Sequence, residues 1–144
     1  MGKSNNEILK GIDNEILSFN IESESELMRI ERVAAENNKI VDVAIRFNPE
    51  VDSGGHEYIK TGRKGDKFGI SSNELVLKLS RYIYNSNNLR LIGLACHIGS
   101  QIEDLESYKS TAINIKKQPT ILFIFNICPK IIHAAIAANT PSRE

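Results

Sequence analysis

Val41-Asp42-Val43-Ala44-Ile45-Arg46-Phe47-Asn48-Pro49 alternates residue by residue. Val41, Val43, Ile45 and Phe47 point one way; Asp42, Ala44, Arg46 and Asn48 point the other. A period of two over eight residues is a strand with one apolar face, and Pro49, with no N–H to donate, stops its ladder. The pattern returns in Leu91-Ile92-Gly93-Leu94-Ala95-Cys96-His97-Ile98. Here Ile92, Leu94, Cys96 and Ile98 are expected on one face, with Leu91, Gly93, Ala95 and His97 on the other. Each strand joins a branched face suited to packing on helices to a face of small or polar residues that ends in a functional side chain.

Helical signals lie between the strands. Ser4-Asn5-Asn6-Glu7 has the capping-box form S-x-x-E and opens a helix to about Ile12. The stretch Ile16 to Ile21 reads as a short strand. Ser23-Glu24-Ser25-Glu26 is a second capping box; Leu27, Ile30, Val33 and Ala34 follow at helical spacing, and Asn37-Asn38 ends that helix. Ser71-Ser72-Asn73-Glu74 begins a third helix carrying Leu75, Leu79 and Ile83, and a fourth is expected over Leu105 to Lys117. Residues 49–70 form a long loop with glycines at 54, 55, 62, 65 and 69. Loops of that length in a compact domain are uncommon and more often functional.

Helices between strands imply parallel strands joined by right-handed crossovers, so the fold class is α/β. In a barrel the polar face looks inward and the site forms at the C-terminal rim. In an open sheet the same residues line the switch-point crevice. Either way Arg46 and His97 lie near the C-terminal ends of consecutive strands, where one pocket can hold both.

Composition narrows the function. The 144 residues are 41% hydrophobic and 25% charged, with 18 Lys+Arg balanced by 18 Asp+Glu. That is one ordinary globular domain, neither disordered nor disulfide-dense. A net charge of zero argues against a dedicated nucleic-acid partner and leaves little steering toward a membrane. The two cysteines, Cys96 and Cys128, each in an apolar run, read as buried reduced thiols. The N-terminus has no secretory apolar core, and Thr120 to Ala138, the most apolar window, is interrupted by Asn126, Pro129, Lys130 and His133. A cytoplasmic location is expected.

His97 has the strongest claim to chemistry. It is followed by Ile98-Gly99-Ser100-Gln101, which puts an imidazole, a glycine backbone and a hydroxyl at one strand end. Such a ring can stack on a planar cofactor, Gly99 admits a close ligand, and Ser100 can bond a phosphate oxygen. Arg46 on an inner face needs an anion. Asp42, four residues earlier on the same face, and a bound ligand are equal candidates. Asp52, His56 and Glu57 fit no standard zinc spacing, so no metal site is expected. Gly62-Arg63-Lys64-Gly65-Asp66-Lys67-Phe68-Gly69 is glycine-rich and basic, but no Gly-Lys-Ser/Thr opens a helix at P-loop spacing.

Five strings occur in order: Phe19-Asn20-Ile21-Glu22-Ser23-Glu24, Arg46-Phe47-Asn48-Pro49, His56-Glu57-Tyr58-Ile59-Lys60-Thr61-Gly62, Lys67-Phe68-Gly69-Ile70 and His97-Ile98-Gly99-Ser100-Gln101. Together they resemble the diaminopimelate decarboxylase family, a branch of the pyridoxal-phosphate decarboxylases whose cofactor domain is a (β/α)8 barrel. The resemblance covers roughly residues 2 to 117. The Arg-x-Asn-Pro, Lys-Phe-Gly and His-x-Gly-Ser signals are shared with ornithine and arginine decarboxylases. The His-x-Tyr-Ile-x-Thr-Gly loop and Gln101 are more particular to the diaminopimelate branch.

The resemblance implies an incomplete TIM-type barrel over residues 1–117 and a divergent segment over 118–144. It implies removal of a carboxylate from meso-diaminopimelate to give L-lysine and CO2, with pyridoxal 5'-phosphate as the cofactor. It also implies that His97 stacks on the pyridine ring, Ser100 helps hold the phosphate and Arg46 lies near the ring edge. The family tends to be dimeric. No residue here matches the family's Schiff-base lysine, nor its Gly-rich and Glu-Pro-Gly-Arg phosphate loops. The chain is therefore expected to be inactive alone and to contain no catalytic residue of its own, unless a missing segment completes it. Another barrel decarboxylase of the ornithine or arginine type, and a non-catalytic barrel relic or binding module, are the alternatives.

Overall fold

Ser4 caps the first helix, α1 (Asn5–Asp13), in the reciprocal way its sequence predicts. Its Oγ accepts from the Glu7 N–H, and the Glu7 carboxylate accepts from the Ser4 N–H at 2.8 Å. The computed structural model in which this is seen describes residues 2–48, 69–96, 105–116 and 135–136. The other elements are β1 (Phe19–Ile21), α2 (Glu24–Glu36), β2 (Val41–Arg46), α3 (Asn73–Asn85), β3 (Leu89–Cys96), α4 (Leu105–Lys116) and β4 (Ala135–Ile136).

Strand β1 is shorter than the apolar run suggests. Ile16 N–H donates to Gly11 C=O and Glu15 N–H to Ile12 C=O, a Schellman closure that places Glu15 at φ 50°. The run's first residues are thus spent ending α1, and Leu17 is 83% exposed. The expectation missed this because no glycine marks the left-handed position. Helix α2 ends in the same way, with Asn38 at φ 52° and Lys39 N–H on Ala34 C=O. Gly11 serves a packing need: a Cβ there would stand 2.8 Å from the Phe19 ring, so α1 can lie on β1 only where a side chain is absent.

The strands pair in chain order, β1-β2-β3-β4, and every pairing is parallel. In β2, Val41, Val43, Ile45 and Phe47 enter the core as the alternation predicts. They meet Ile8 and Ile12 of α1, Leu27, Ile30, Val33 and Ala34 of α2, and Val76, Leu79 and Ile83 of α3 in one cluster. Helices α1, α2 and α3 therefore all contribute to a single core with the same strand face.

Strand β3 departs from strict alternation. Val43 pairs with Leu91 but Ala44 with Gly93, so Ile92 is an extra residue, a β-bulge. Before the bulge Leu89 and Leu91 face the core; after it Leu94 and Cys96 do. Leu91, expected beside Gly93 and Ala95, is buried with the helices instead. The extra residue changes the phase of the strand, which lets two successive apolar stretches share one core. Strand β4 pairs Ala135 with Ala95 and Ile136 with Cys96, in a segment where the sequence shows no strand signal. No helix among the described residues is long and apolar enough to cross a membrane.

The second capping box forms only by half. Ser23 Oγ accepts from Glu26 N–H, but the Glu26 carboxylate turns away to the N–H of Glu22 (2.8 Å) and to Lys3, whose Nζ approaches at 2.9 Å. Glu26 is buried, and these donors compensate its charge. Burial pushes the carboxyl up, yet Lys3 and the two backbone N–H groups outweigh it and hold the pKa below the ordinary 4.5. A carboxyl depressed on folding stabilises fully above its unfolded value and loses that contribution as pH falls through the folded one. Glu26→Gln is expected to cost about 2 kcal/mol at pH 7. In urea titrations from pH 7 to pH 3, the gap between wild type and variant should close below pH 4.5.

Candidate functional site

The face of the sheet turned away from the core is built from small and polar residues. The register sets Asn20 beside Ala44, Ala44 beside Gly93, and Arg46 beside Ala95. At the strands' N-terminal ends Asp42 accepts two bonds from Arg90, at 2.6 and 2.7 Å. Toward the C-terminal ends Ala44, Gly93 and Ala95 leave a floor with no side chain beyond Cβ, and the first large polar group above it is Arg46.

Arg46 reaches this face because its neighbours Ile45 and Phe47 are committed to the core. Its Nη1 donates to Glu22 Oε1 at 2.5 Å, with the two side chains 21% and 33% exposed. Ile21 pairs with Ile45, so Glu22 and Arg46 stand on the next rung, at the C-terminal ends of adjacent parallel strands. Asp42, one of the two candidate partners for Arg46, is instead engaged by Arg90. In the sequence Glu22 stands out only as part of the Phe19-Asn20-Ile21-Glu22-Ser23-Glu24 string. Its position one residue past the end of β1 is the signal that it can reach a rim.

The backbone of Arg46 to Asn48 is held on both sides. Phe47 N–H donates to Ala95 C=O at 2.8 Å. On the other side Ile70 bridges to Phe47, with Ile70 N–H on Arg46 C=O (2.9 Å) and Asn48 N–H on Ile70 C=O (3.0 Å). Two of the motif strings, Arg-Phe-Asn and Gly-Ile, thus meet across more than twenty residues. Gly69 makes the approach possible. It sits at φ 83°, and a Cβ there would lie 3.1 Å from the Arg46 carbonyl oxygen and 3.5 Å from Arg46 Cγ. Asn48 is buried at the same rim.

Cys96 packs on the core side, and its Sγ donates to Phe47 C=O at 3.0 Å. Burial pushes its thiol up to about 12 against the opposing pull of the Arg46 charge, the state of an inert structural cysteine. His97, Ser100, Cys128 and the 52–62 loop lie outside the described residues. Among the described residues no cluster of His, Cys, Asp and Glu could hold a metal ion.

Comparison with known proteins places this arrangement. The domain described as "Pyridoxal-dependent decarboxylase, pyridoxal binding domain" matches residues 1–120. Diaminopimelate decarboxylase of Haemophilus influenzae is 42% identical over 110 residues, 75% of this chain and 26% of that protein. The Neisseria meningitidis enzyme is 44% identical over 105 residues, 73% of this chain and 26% of its own length. The crystal structure of diaminopimelate decarboxylase from Helicobacter pylori, complexed with L-lysine, superposes with a TM-score of 0.80 at 34% identity, covering 88% of this chain and 32% of that one. The chain spans about a quarter of the length of the curated relatives it matches.

Two outcomes follow from the rim. Gly69→Ala forces a Cβ onto a left-handed residue and against the Arg46 carbonyl, and should cost about 1–3 kcal/mol in chemical denaturation. Cys96 should resist alkylation at pH 8 in the folded chain and label once urea unfolds it, as read by peptide mass spectrometry.

Proposed function

The chain belongs to the pyridoxal-dependent decarboxylases, and from that premise we propose that it forms part of the cofactor barrel of a diaminopimelate decarboxylase. The observation that carries the reading is the match to the Helicobacter pylori enzyme, in fold and at 34% identity together. The curated relatives at 37–44% identity carry the same name, which favours the diaminopimelate branch over ornithine or arginine.

An incomplete barrel is the architecture that the topology supports. A doubly wound sheet reverses its strand order at a switch point and carries helices on both faces. Here the described strands follow chain order without reversal, and α1, α2 and α3 share one core with one face. A sheet that continues in this manner closes with its polar face inward and its site at the C-terminal rim. On this reading residues 1–117 are the barrel portion and 118–144 a separate segment.

The described residues fit pyridoxal 5'-phosphate in kind. A planar ring needs a floor without bulky side chains, which Ala44, Gly93 and Ala95 provide, and a donor at its edge, which Arg46 provides. His97 would cover the ring and Ser100 would hold phosphate oxygens. When bound, the cofactor supplies an electron-accepting ring for the carbon that loses CO2. The contribution of this chain is to bind and orient. Arg46 presents a fixed cation at the rim, and its backbone, held by Ala95 and Ile70, cannot drift from the floor. The substrate would be meso-diaminopimelate, the products L-lysine and CO2, and the setting cytoplasmic.

A chimera tests this. Residues 1–117 grafted in place of the matching stretch of the Haemophilus influenzae enzyme should support CO2 release from meso-diaminopimelate and not from ornithine or arginine. A folded chimera that binds the cofactor and prefers ornithine or arginine would reassign the branch. A folded chimera that cannot bind it would leave a non-catalytic barrel.

A further inference from the structure

We infer that Glu22 is a positioning residue that holds the Arg46 guanidinium where the cofactor needs it. The inference rests on the reading of the polar rim as a cofactor site and adds a member to it. Arg46 ends a flexible four-torsion stem, and a donor on such a stem orients a ligand only if its direction is set beforehand. Among the described residues, two contacts bear on it. Gly69 lies against the stem, since a Cβ at that glycine would be 3.5 Å from Arg46 Cγ. Glu22 takes the tip, at 2.5 Å from Nη1.

Most exposed ion pairs contribute little because both side chains must be ordered to form them. This one differs. Glu22 leaves the end of β1 with its own N–H already bonded to Glu26 Oε2 at 2.8 Å. Glu26 is in turn fixed by Lys3, through Nζ at 2.9 Å and the backbone N–H at 3.3 Å. The Glu22 backbone is therefore pinned before its carboxylate meets Arg46, and both side chains are two-thirds or more covered. A short, half-buried pair built on a fixed backbone restrains a guanidinium in a way that a mobile surface pair cannot.

The test uses the 144-residue chain with pyridoxal phosphate as the probe. Wild type is compared with Glu22→Ala, Glu22→Gln, Arg46→Met and the double variant Glu22→Ala/Arg46→Met. Two quantities are read: the dissociation constant from cofactor absorbance, and the side-chain 15N signals of Arg46 without cofactor, assigned by their loss in Arg46→Met. Glu22→Ala should weaken binding about fivefold, near the worth of one hydrogen bond. It should also increase the averaging of the Arg46 side-chain signals relative to wild type. Glu22→Gln, which keeps an acceptor at the same reach, should recover most of both effects, and Glu22→Ala should add nothing in the Arg46→Met background. Arg46 signals unchanged by Glu22→Ala, unchanged affinity, or an equal loss with Met at position 46 would each overturn the positioning role. Blank titrations for wild type and every variant would overturn the cofactor reading itself, and this inference with it.

Discussion

The constraint on which the structure depends is that its sheet has one face of branched and aromatic residues that packs on α1, α2 and α3, and another of small and polar residues. The apolar face takes Phe19, Ile21, Val41, Val43, Ile45 and Phe47 into a single core with α1, α2 and α3. The opposite face is left with residues that pack poorly, Ala44, Gly93 and Ala95, and with charges that need partners, Asp42, Arg46 and Arg90. Burying the first set at roughly 25 cal/mol per Å2 of apolar surface drives the assembly. The second set is left to the other face, where Ala44, Gly93 and Ala95 are themselves buried. The bulge at Ile92 serves the same constraint. Without the extra residue, Leu91 and Leu94 could not both face the helices, and one of them would occupy the polar face.

A second layer of order runs through polar contacts. Lys3 binds Glu26, Glu26 binds the Glu22 backbone, and the Glu22 carboxylate binds Arg46. Each member is satisfied by the next, which is the condition under which charges are tolerated in partly buried places. The chain of contacts begins just before α1 and ends at the rim of β2, so the N-terminal residues have a part in placing a side chain more than forty positions away. Gly69 and Ile70 close the other side of the same rim, and their value lies in backbone geometry more than in side chains.

The family resemblance read from five motif strings agrees with the domain match over residues 1–120 and with the relatives. The motifs are legible because each is short and contiguous. What they do together is less legible. Arg-Phe-Asn-Pro and Lys-Phe-Gly-Ile stand apart in the chain, and nothing local to either shows that Ile70 pairs with Phe47. Glu22 could be read as part of a motif, but its partner could not, since Asp42 lay on the same strand face and was the nearer acid.

Helix positions, the caps at Ser4 and Ser23, the faces of β2 and the α/β class all came from the sequence alone. Each depends on residues within a turn or a strand period of one another, and short-range sterics and hydrogen bonding decide them. Tertiary structure decided the rest. It inserted the bulge in β3, drew Glu26 out of its capping box and gave Arg46 to Glu22, while the Schellman closure that shortened β1 is local but needs no glycine. In the bulge and the Arg46–Glu22 pair the choice turned on which strand lies beside which, and at what register; at Glu26 it turned on Lys3, which lies before α1. In the closure it turned on a left-handed residue whose type does not announce it.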